Sequence, residues 1–266
     1  MENKKTVLQL ISKGLTHREI NKKTGVSLGT ISRIRNLGVV KKENKERRIL
    51  VVGDLHAPFI RKGYLEFCKS VYDEYECTDV VCTGDILDNH FSSFHDTDPD
   101  GYSAGDELDE ALKQIEKWVN VFPRVMVCIG NHDRLPARQA FVSGVSTRWV
   151  RDYNDVLGCP EWEFAEGYDI DGVRYEHGEG QKPHIKMLNN RQSYVCGHIH
   201  SELKITYSVS EHDRLFAMQM GWGGDQSAYS MAYAKNFKKG IVSCGVVLKN
   251  GTLPLVIPMP LMKKEK

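Results

Sequence analysis

The chain has no appreciable net charge of either sign, with 36 Lys and Arg against 35 Asp and Glu in 266 residues. Nowhere do about 18 apolar residues run together, which excludes a spanning helix. The opening MENKKTVLQLISKGL holds no apolar stretch long enough for a secretory signal. A soluble, cytoplasmic protein is expected. There is no CxxC pair. The seven cysteines, Cys68, Cys77, Cys82, Cys128, Cys159, Cys196 and Cys244, are scattered and lie mostly inside apolar runs. Buried free thiols in a reducing compartment fit this pattern better than a disulfide framework or a sulfur-based metal site. Internal repeats and low-complexity tracts are missing too, so no repeat architecture is expected.

The even charge balance hides an asymmetry. Residues 1–48 hold 13 Lys and Arg against 4 Asp and Glu, a net of +9, which leaves −8 for residues 49–266. A basic head is joined to an acidic body. In the head, Val7, Leu8 and Ile11 recur at helical spacing up to Gly14, and Thr16-His17-Arg18-Glu19 is a capping-box signature opening a second helix that contains Ile20. Gly25 makes a turn, and Ser27 can cap a third helix with Ile31 and Ile34 facing inward. That leaves Leu28, Thr30, Ser32 and Arg33 outward. The segment resembles the helix-turn-helix of resolvases, invertases and small regulators, with VSLGTISRIRN in the recognition position, which implies that Ser27, Leu28, Thr30, Ser32 and Arg33 contact DNA. The competing reading is a helical element that packs on the body or dimerises. The expected division is a small all-α DNA-binding domain over 1–40, a charged linker over 41–48 (KKENKERR) and a large domain over 49–266.

The texture changes from Arg48 onward. ILVVGD (49–54), TDVVCTGD (78–85) and RVMVCIGNHD (124–133) each run apolar into a glycine and then polar residues, with helical stretches around 63–75 and over 104–119 between them. Leu108, Leu112, Ile115 and Val119 give the second helix its apolar stripe. Buried strands joined by helices predict a parallel sheet with ligands at its C-terminal edge. The second half is strand-rich: a hairpin over 162–178 turning at Asp171-Gly172, a buried strand at 193–198, and runs at 203–209, 214–220, 241–249 and 253–258. These are expected to form a second, mixed sheet stacked on the first.

The chemistry lies in five short strings at the ends of apolar runs: GDLHAP (53–58), GDILDN (84–89), GNHD (130–133), EHG (176–178) and GHIH (197–200). Each has an ordinary explanation alone, as a turn, a helix cap or a hydrogen-bonded core histidine. Together they collect the ligands of a two-metal hydrolytic centre. Asp54 and His56 are two apart at a strand end and can chelate one ion. Asp85 ends the adjacent strand and can lie between two ions. Asn131 supplies an amide oxygen, His177 ends a later strand, and His198 and His200 are again two apart. Hard oxygens mixed with imidazoles suit two Mn, Fe or Zn ions better than Ca or Mg.

In this order the five strings resemble those of the calcineurin-like metallophosphoesterases, over residues 49 to about 258. The resemblance implies an α/β fold, a two-sheet αββα sandwich. It also implies that Asp54, His56 and His200 bind one metal, that Asn131, His177 and His198 bind the other, and that Asp85 bridges them. His132 would contact the phosphate and protonate or stabilise the leaving oxygen, with Asp133 orienting its ring. The implied mechanism is in-line attack by a metal-bridging hydroxide. The second string departs from the GDxxDRG of protein phosphatases, because no Arg-Gly follows Asp88. That points toward nucleases, nucleotide phosphodiesterases and phage-encoded enzymes.

Arg134 and Arg138 follow the GNHD turn and are candidates to hold a phosphate oxygen. His90, Phe94 and His95, in the polar stretch 90–106, are candidate substrate contacts, as are Lys182 and His184; Trp222 is a candidate for base stacking. The leading expectation is a dinuclear phosphodiesterase, a nuclease delivered to DNA by residues 1–48. The alternatives are a phosphomonoesterase or small-nucleotide phosphodiesterase, or a DNA-binding regulator with a non-catalytic body.

Overall fold

A computed structural model describes residues 6, 7, 10, 15–28, 30, 31, 46–93, 98–230 and 238–260 of the chain. Thr16 starts the first helix, α1 (His17–Thr24), through a full capping box: its backbone N–H donates to Glu19 Oε2 at 2.8 Å, and its hydroxyl accepts from the Glu19 N–H. Gly25 ends that helix at φ 71°. Beyond it the hydroxyl of Ser27 accepts from Thr30 N at 3.3 Å, and Ile31 N donates to Ser27 O at 2.9 Å. Val7, Ile20 and Ile31 are buried together, with Leu10, Leu15 and Val26 against them. Ser32 and Arg33 lie outside the described residues. The chain divides into two units, Met1–Glu46 and Arg47–Lys266.

In the larger unit, β1 (Ile49–Val52) is buried at all four residues because both of its faces are covered. Leu50 and Val52 join a core beneath the helices, while Ile49 and Val51 face the second sheet. The chain continues through α2 (Tyr64–Glu74), β2 (Asp79–Cys82), α3 (Ala104–Val121), β3 (Met126–Cys128), α4 (Leu135–Val142), α5 (Tyr153–Leu157) and β4 (Glu163–Ala165). On α3 the fully buried side chains are Glu107, Ala111, Ile115 and Trp118, with Leu108, Leu112 and Val119 on the flanks of that stripe. The stripe is rotated from its expected centre, with Glu107 and Trp118 in interior positions.

The second sheet takes β5 (Gly167–Ile170), β6 (Val173–Glu176), β7 (Ser193–Cys196), β8 (Lys204–Val209) and β9 (Arg214–Gln219), in the order β5-β6-β7-β9-β8, with α6 (Pro183–Asn190) packing Met187 on its outer face. The chain closes with β10 (Ser243–Leu248) and β11 (Leu253–Pro258). The first sheet runs β11-β10-β1-β2-β3-β4, with β1 to β4 parallel and β10 antiparallel to β1. Two mixed sheets packed face to face with helices outside are the sandwich the resemblance implied.

Two local expectations fail. Residues 162–178 are not one hairpin: β4 pairs with β3 in the first sheet, and only β5 and β6 pair across the Asp171-Gly172 turn. Residues 241–258 belong to the first sheet, not the second. A β1 whose four residues are all buried cannot be an edge strand, and β10 supplies its missing partner from Ile49↔Val247 to Val52↔Cys244. All seven cysteines are buried and free. Among the described residues no helix is long and apolar enough to cross a membrane.

Candidate metal centre

The five strings converge at the C-terminal ends of β1, β2, β3, β6 and β7, where parallel strands leave polar loops facing one crevice. Asp54 is fully buried and heavily fixed. Its Oδ1 accepts from Thr83 Oγ1 and its Oδ2 from His198 N, both at 2.7 Å, and Oδ2 lies 3.2 Å from His200 Nε2. Asp85 is also buried. Its Oδ1 accepts from His132 N at 2.9 Å, and its Oδ2 lies 3.3 Å from His177 Nε2 and 3.7 Å from His56 Nε2. The structure thus brings together Asp54, His56, Asp85 and His200 in one donor group and Asp85, His177 and His198 in another, with Asp85 common to both. Asn131 Oδ1 stands 2.8 Å from His177 Nε2 and so joins the second group.

The donor set fits two divalent cations. His56 Nε2 and His200 Nε2 are 3.2 Å apart, as are His177 Nε2 and His198 Nδ1 to within a tenth of an ångström, at 3.1 Å. Ligands about 2.0–2.1 Å from one tetrahedral ion would be separated by roughly 3.3 Å. The tautomers agree. His56 Nδ1 faces Asp88 Oδ1 at 2.6 Å and His177 Nδ1 faces the Thr83 carbonyl at 2.9 Å, so each ring commits its Nδ1 proton and presents Nε2 inward.

Three of the donor residues have strained backbones. His56, Asp85 and His198 adopt φ of 52°, 45° and 65°, which is costly for side chains with a Cβ and tolerated where surrounding contacts over-determine the site. Two glycines permit the approach of the loops. A Cβ at Gly130 would sit 2.0 Å from Asp85 Oδ1, and one at Gly197 would sit 2.2 Å from Asp54 Oδ1.

Without cations the carboxylates and imidazoles neutralise each other. Burial opposes charge on His56, but the hydrogen bond and charge of Asp88, with Asp85 and Asp54 behind it, raise its pKa to about 9. Burial likewise opposes charge on His177, and Asp85 and Asp54 outweigh it, raising it to about 10. Asp54 and Asp85 are held below the usual carboxylate range against burial, chiefly by His177. Burial keeps His198 and His200 low. His198 is solvent-exposed, and His132, Asn131 and His200 are partly exposed, so the crevice opens on that side.

The Asp133 carboxylate has partners other than the His132 ring. Its carboxylate accepts backbone N–H groups from Ile86 (2.9 Å), Leu87 (3.3 Å) and Gly130 (2.9 Å), which ties the second string to the third. The partner of the His132 ring is the Asp88 carbonyl, reached by Nδ1. Asp88 therefore serves both His56 and His132, a part its position in GDILDN did not disclose. Trp222 is buried and stacks on His200, with centroids 4.6 Å apart and planes 14° apart, so its ring is unavailable to a base. His90 is buried at the foot of the 90–106 stretch, against Tyr229, with its backbone N–H on Glu107. Phe94 and His95 lie outside the described residues. Arg134 is paired with Glu166 and Glu179, Lys182 with Glu202, and Arg138 is exposed on α4; His184 stands in the first turn of α6.

Solved structures similar to this chain include vacuolar protein sorting 29 from Cryptosporidium parvum (14% identity, 83% of this chain and 94% of that one, TM-score 0.45). The E. coli phosphoesterase YfcE is similar at 13% identity over 75% and 87%, TM-score 0.37. A nuclease, MPE, from Pseudomonas putida is similar at 16% identity over 79% and 87%, TM-score 0.37. No curated protein sequence matches. The family model described as calcineurin-like phosphoesterase matches residues 47–215. That match spans most of the larger unit and all five strings, and the chain belongs to the calcineurin-like phosphoesterase family.

Proposed function

We propose that the protein is a metal-dependent phosphodiesterase acting on DNA, with its basic N-terminal unit as a helix-turn-helix that delivers it there. The observation that supports this most is the sharing of Asp85 between two converging donor groups. Asp54, His56 and His200 would hold one cation and Asn131, His177 and His198 the other. Two bound cations, Mn, Fe or Zn, would lower the pKa of a water and neutralise phosphate oxygens.

The chain's own residues do the rest. Asp88 orients the His56 ring, and its carbonyl takes the His132 Nδ1 proton as a hydrogen bond. Nε2 of His132 is then the atom that exchanges a proton with the leaving oxygen. The capping of α1 and of the turn after Ser27 supports a helical head, and its net positive charge suits a polyanion. Tethering raises the local concentration of phosphodiester at an acidic body.

The test compares bis-p-nitrophenyl phosphate, p-nitrophenyl phosphate, and single- and double-stranded DNA, with Mn and after chelation. Diester and DNA hydrolysis that is lost on chelation is expected. Hydrolysis of the monoester alone would make the protein a phosphomonoesterase. No hydrolysis with metal bound would make the body a sensor.

A further inference from the structure

Directly after the third string the surface changes character. Residues 134–151 contain four arginines and no acidic residue, within a body that is otherwise net acidic. Along this stretch Phe141 is 76% exposed and Trp149 83% exposed, and Arg138, Arg148 and Arg151 are exposed as well. The other three tryptophans are buried, Trp118 and Trp162 at 3% and Trp222 at 1%. An isolated exposed leucine needs no explanation, but a nearly bare tryptophan and phenylalanine among arginines do.

The segment begins beside the metal centre and is fastened near its start. α4 starts two residues after Asp133, and Gln139 Nε2 donates to the Ser92 carbonyl at 2.8 Å, fastening it to the turn that follows Asp88 and Asn89. Asn89 Nδ2 donates in turn to the His132 carbonyl at 2.9 Å. Phe141 stands about 9 Å along the helix from Leu135, at 1.5 Å per residue. On the neighbouring turn Phe91 is also 52% exposed.

We infer that the α4 face carrying Phe141 and the 147–149 turn carrying Trp149 form a stacking platform for single-stranded DNA entering the metal centre. This rests on the phosphodiesterase reading and names its substrate as unpaired. Arginines supply sequence-independent attraction to phosphates, and flat exposed rings accept unpaired bases, the combination that binds single strands. A duplex keeps its bases stacked on each other and offers the rings nothing. Charge complementarity separates this occupant from a second copy of the chain, whose body is acidic overall but would have to meet an identical arginine-bearing face in a two-fold contact.

The buried state of the other tryptophans provides a site-specific readout in the full chain. Intrinsic fluorescence of metal-free protein is titrated with a 20-residue oligo(dT), and with the same strand paired to oligo(dA). Quenching by the single strand is expected, with weaker quenching by the duplex, and Trp149→Ala should remove it. Phe141→Ala and the pair Arg148→Gln, Arg151→Gln should weaken single-strand affinity about tenfold or more. Binding of oligo(dT) with no Trp149-dependent quenching would overturn the inference, as would equal quenching by the duplex. So would a concentration-dependent dimer, seen by sedimentation, that Trp149→Ala dissolves. Hydrolysis of bis-p-nitrophenyl phosphate by the wild-type chain is scored separately: its absence sinks the phosphodiesterase reading, whatever the fluorescence shows.

Discussion

Asp88 Oδ1 lies 2.6 Å from His56 Nδ1, and both side chains are buried. The carboxylate fixes the tautomer that turns Nε2 toward Asp85 and His200 and raises the basicity of that nitrogen. Asp88→Asn should therefore lower metal affinity or turnover by about 10–100-fold, the usual cost of losing a partner behind a metal-binding histidine. Asp85→Asn should be more severe, abolishing hydrolysis and lowering bound metal, because both donor groups lose a shared charge. Metal content by mass spectrometry alongside diester turnover separates the two. An Asp85→Asn protein with two metals and normal turnover would show that Asp85 is not the bridge.

Asp133 gives a stability prediction. Removing its carboxylate leaves the N–H groups of Ile86, Leu87 and Gly130 without an acceptor in a buried place. At about 1–3 kcal/mol for each unsatisfied buried group, Asp133→Ala should cost roughly 3 kcal/mol or more. Asp133→Asn, which keeps one acceptor oxygen, should cost less. Denaturant midpoints at constant slope measure both. Unchanged stability with a large loss of rate would restore the role in orienting His132 that the resemblance implied.

His132→Ala should keep its metals and lose about 10²–10⁴-fold in rate, the scale of a positioned acid or base. Its backbone N–H to Asp85 survives the substitution. The loss should shrink on substrates with a good leaving group such as p-nitrophenol, which needs little protonation. A mutant depleted of metal would instead make His132 a ligand.

The contrast among these residues shows what the chain discloses before folding. Asp54, His56, Asp85, Asn131, His177, His198 and His200 stand at the ends of apolar runs, so their convergence could be read from the strand pattern. The parts of Asp88, Asp133 and Trp222 depend on which way a buried side chain turns, and no spacing rule contains that. The same limit applied to the sheets. Apolar alternation located β10 and β11, but not the sheet they join, which is decided by the bare edge of a doubly buried β1. The exposed Phe141 and Trp149 were equally hidden, because an aromatic in a helix reads as core until its surroundings are known.

The titration of the centre has a direction. An imidazole raised in the folded protein stabilises it fully below its unfolded pKa, about 6.5, and loses that contribution as pH rises through the folded value. For His56 that value is about 9 and for His177 about 10. His198 and His200, held low, act only below about 6.5. The melting temperature of chelated protein should therefore fall between pH 6.5 and 8.5. Metal binding must expel those protons, so the rise in melting temperature on adding Mn should be larger at pH 8.5 than at pH 6.5. A flat or rising chelated profile would contradict the assignment.

The head can be removed without touching any candidate ligand. A chain starting at Arg47 keeps the hydrogen bond from Arg47 N to Asn250 Oδ1, 2.8 Å, and the pairing of its guanidinium with Asp79 and Asp171. Hydrolysis of a small chromogenic diester should then persist. DNA affinity should fall and its salt dependence should flatten, because fewer counterions are released per complex when 11 basic residues of the head are gone. Thr30→Ala with Arg33→Ala in the full chain should give a milder form of the same change, since two candidate DNA contacts would be lost but most of the charge would remain. Affinity is measured by anisotropy across a salt titration. Equal binding and cleavage by full-length and truncated proteins would remove DNA delivery and leave the N-terminal unit as a packing or dimerisation element.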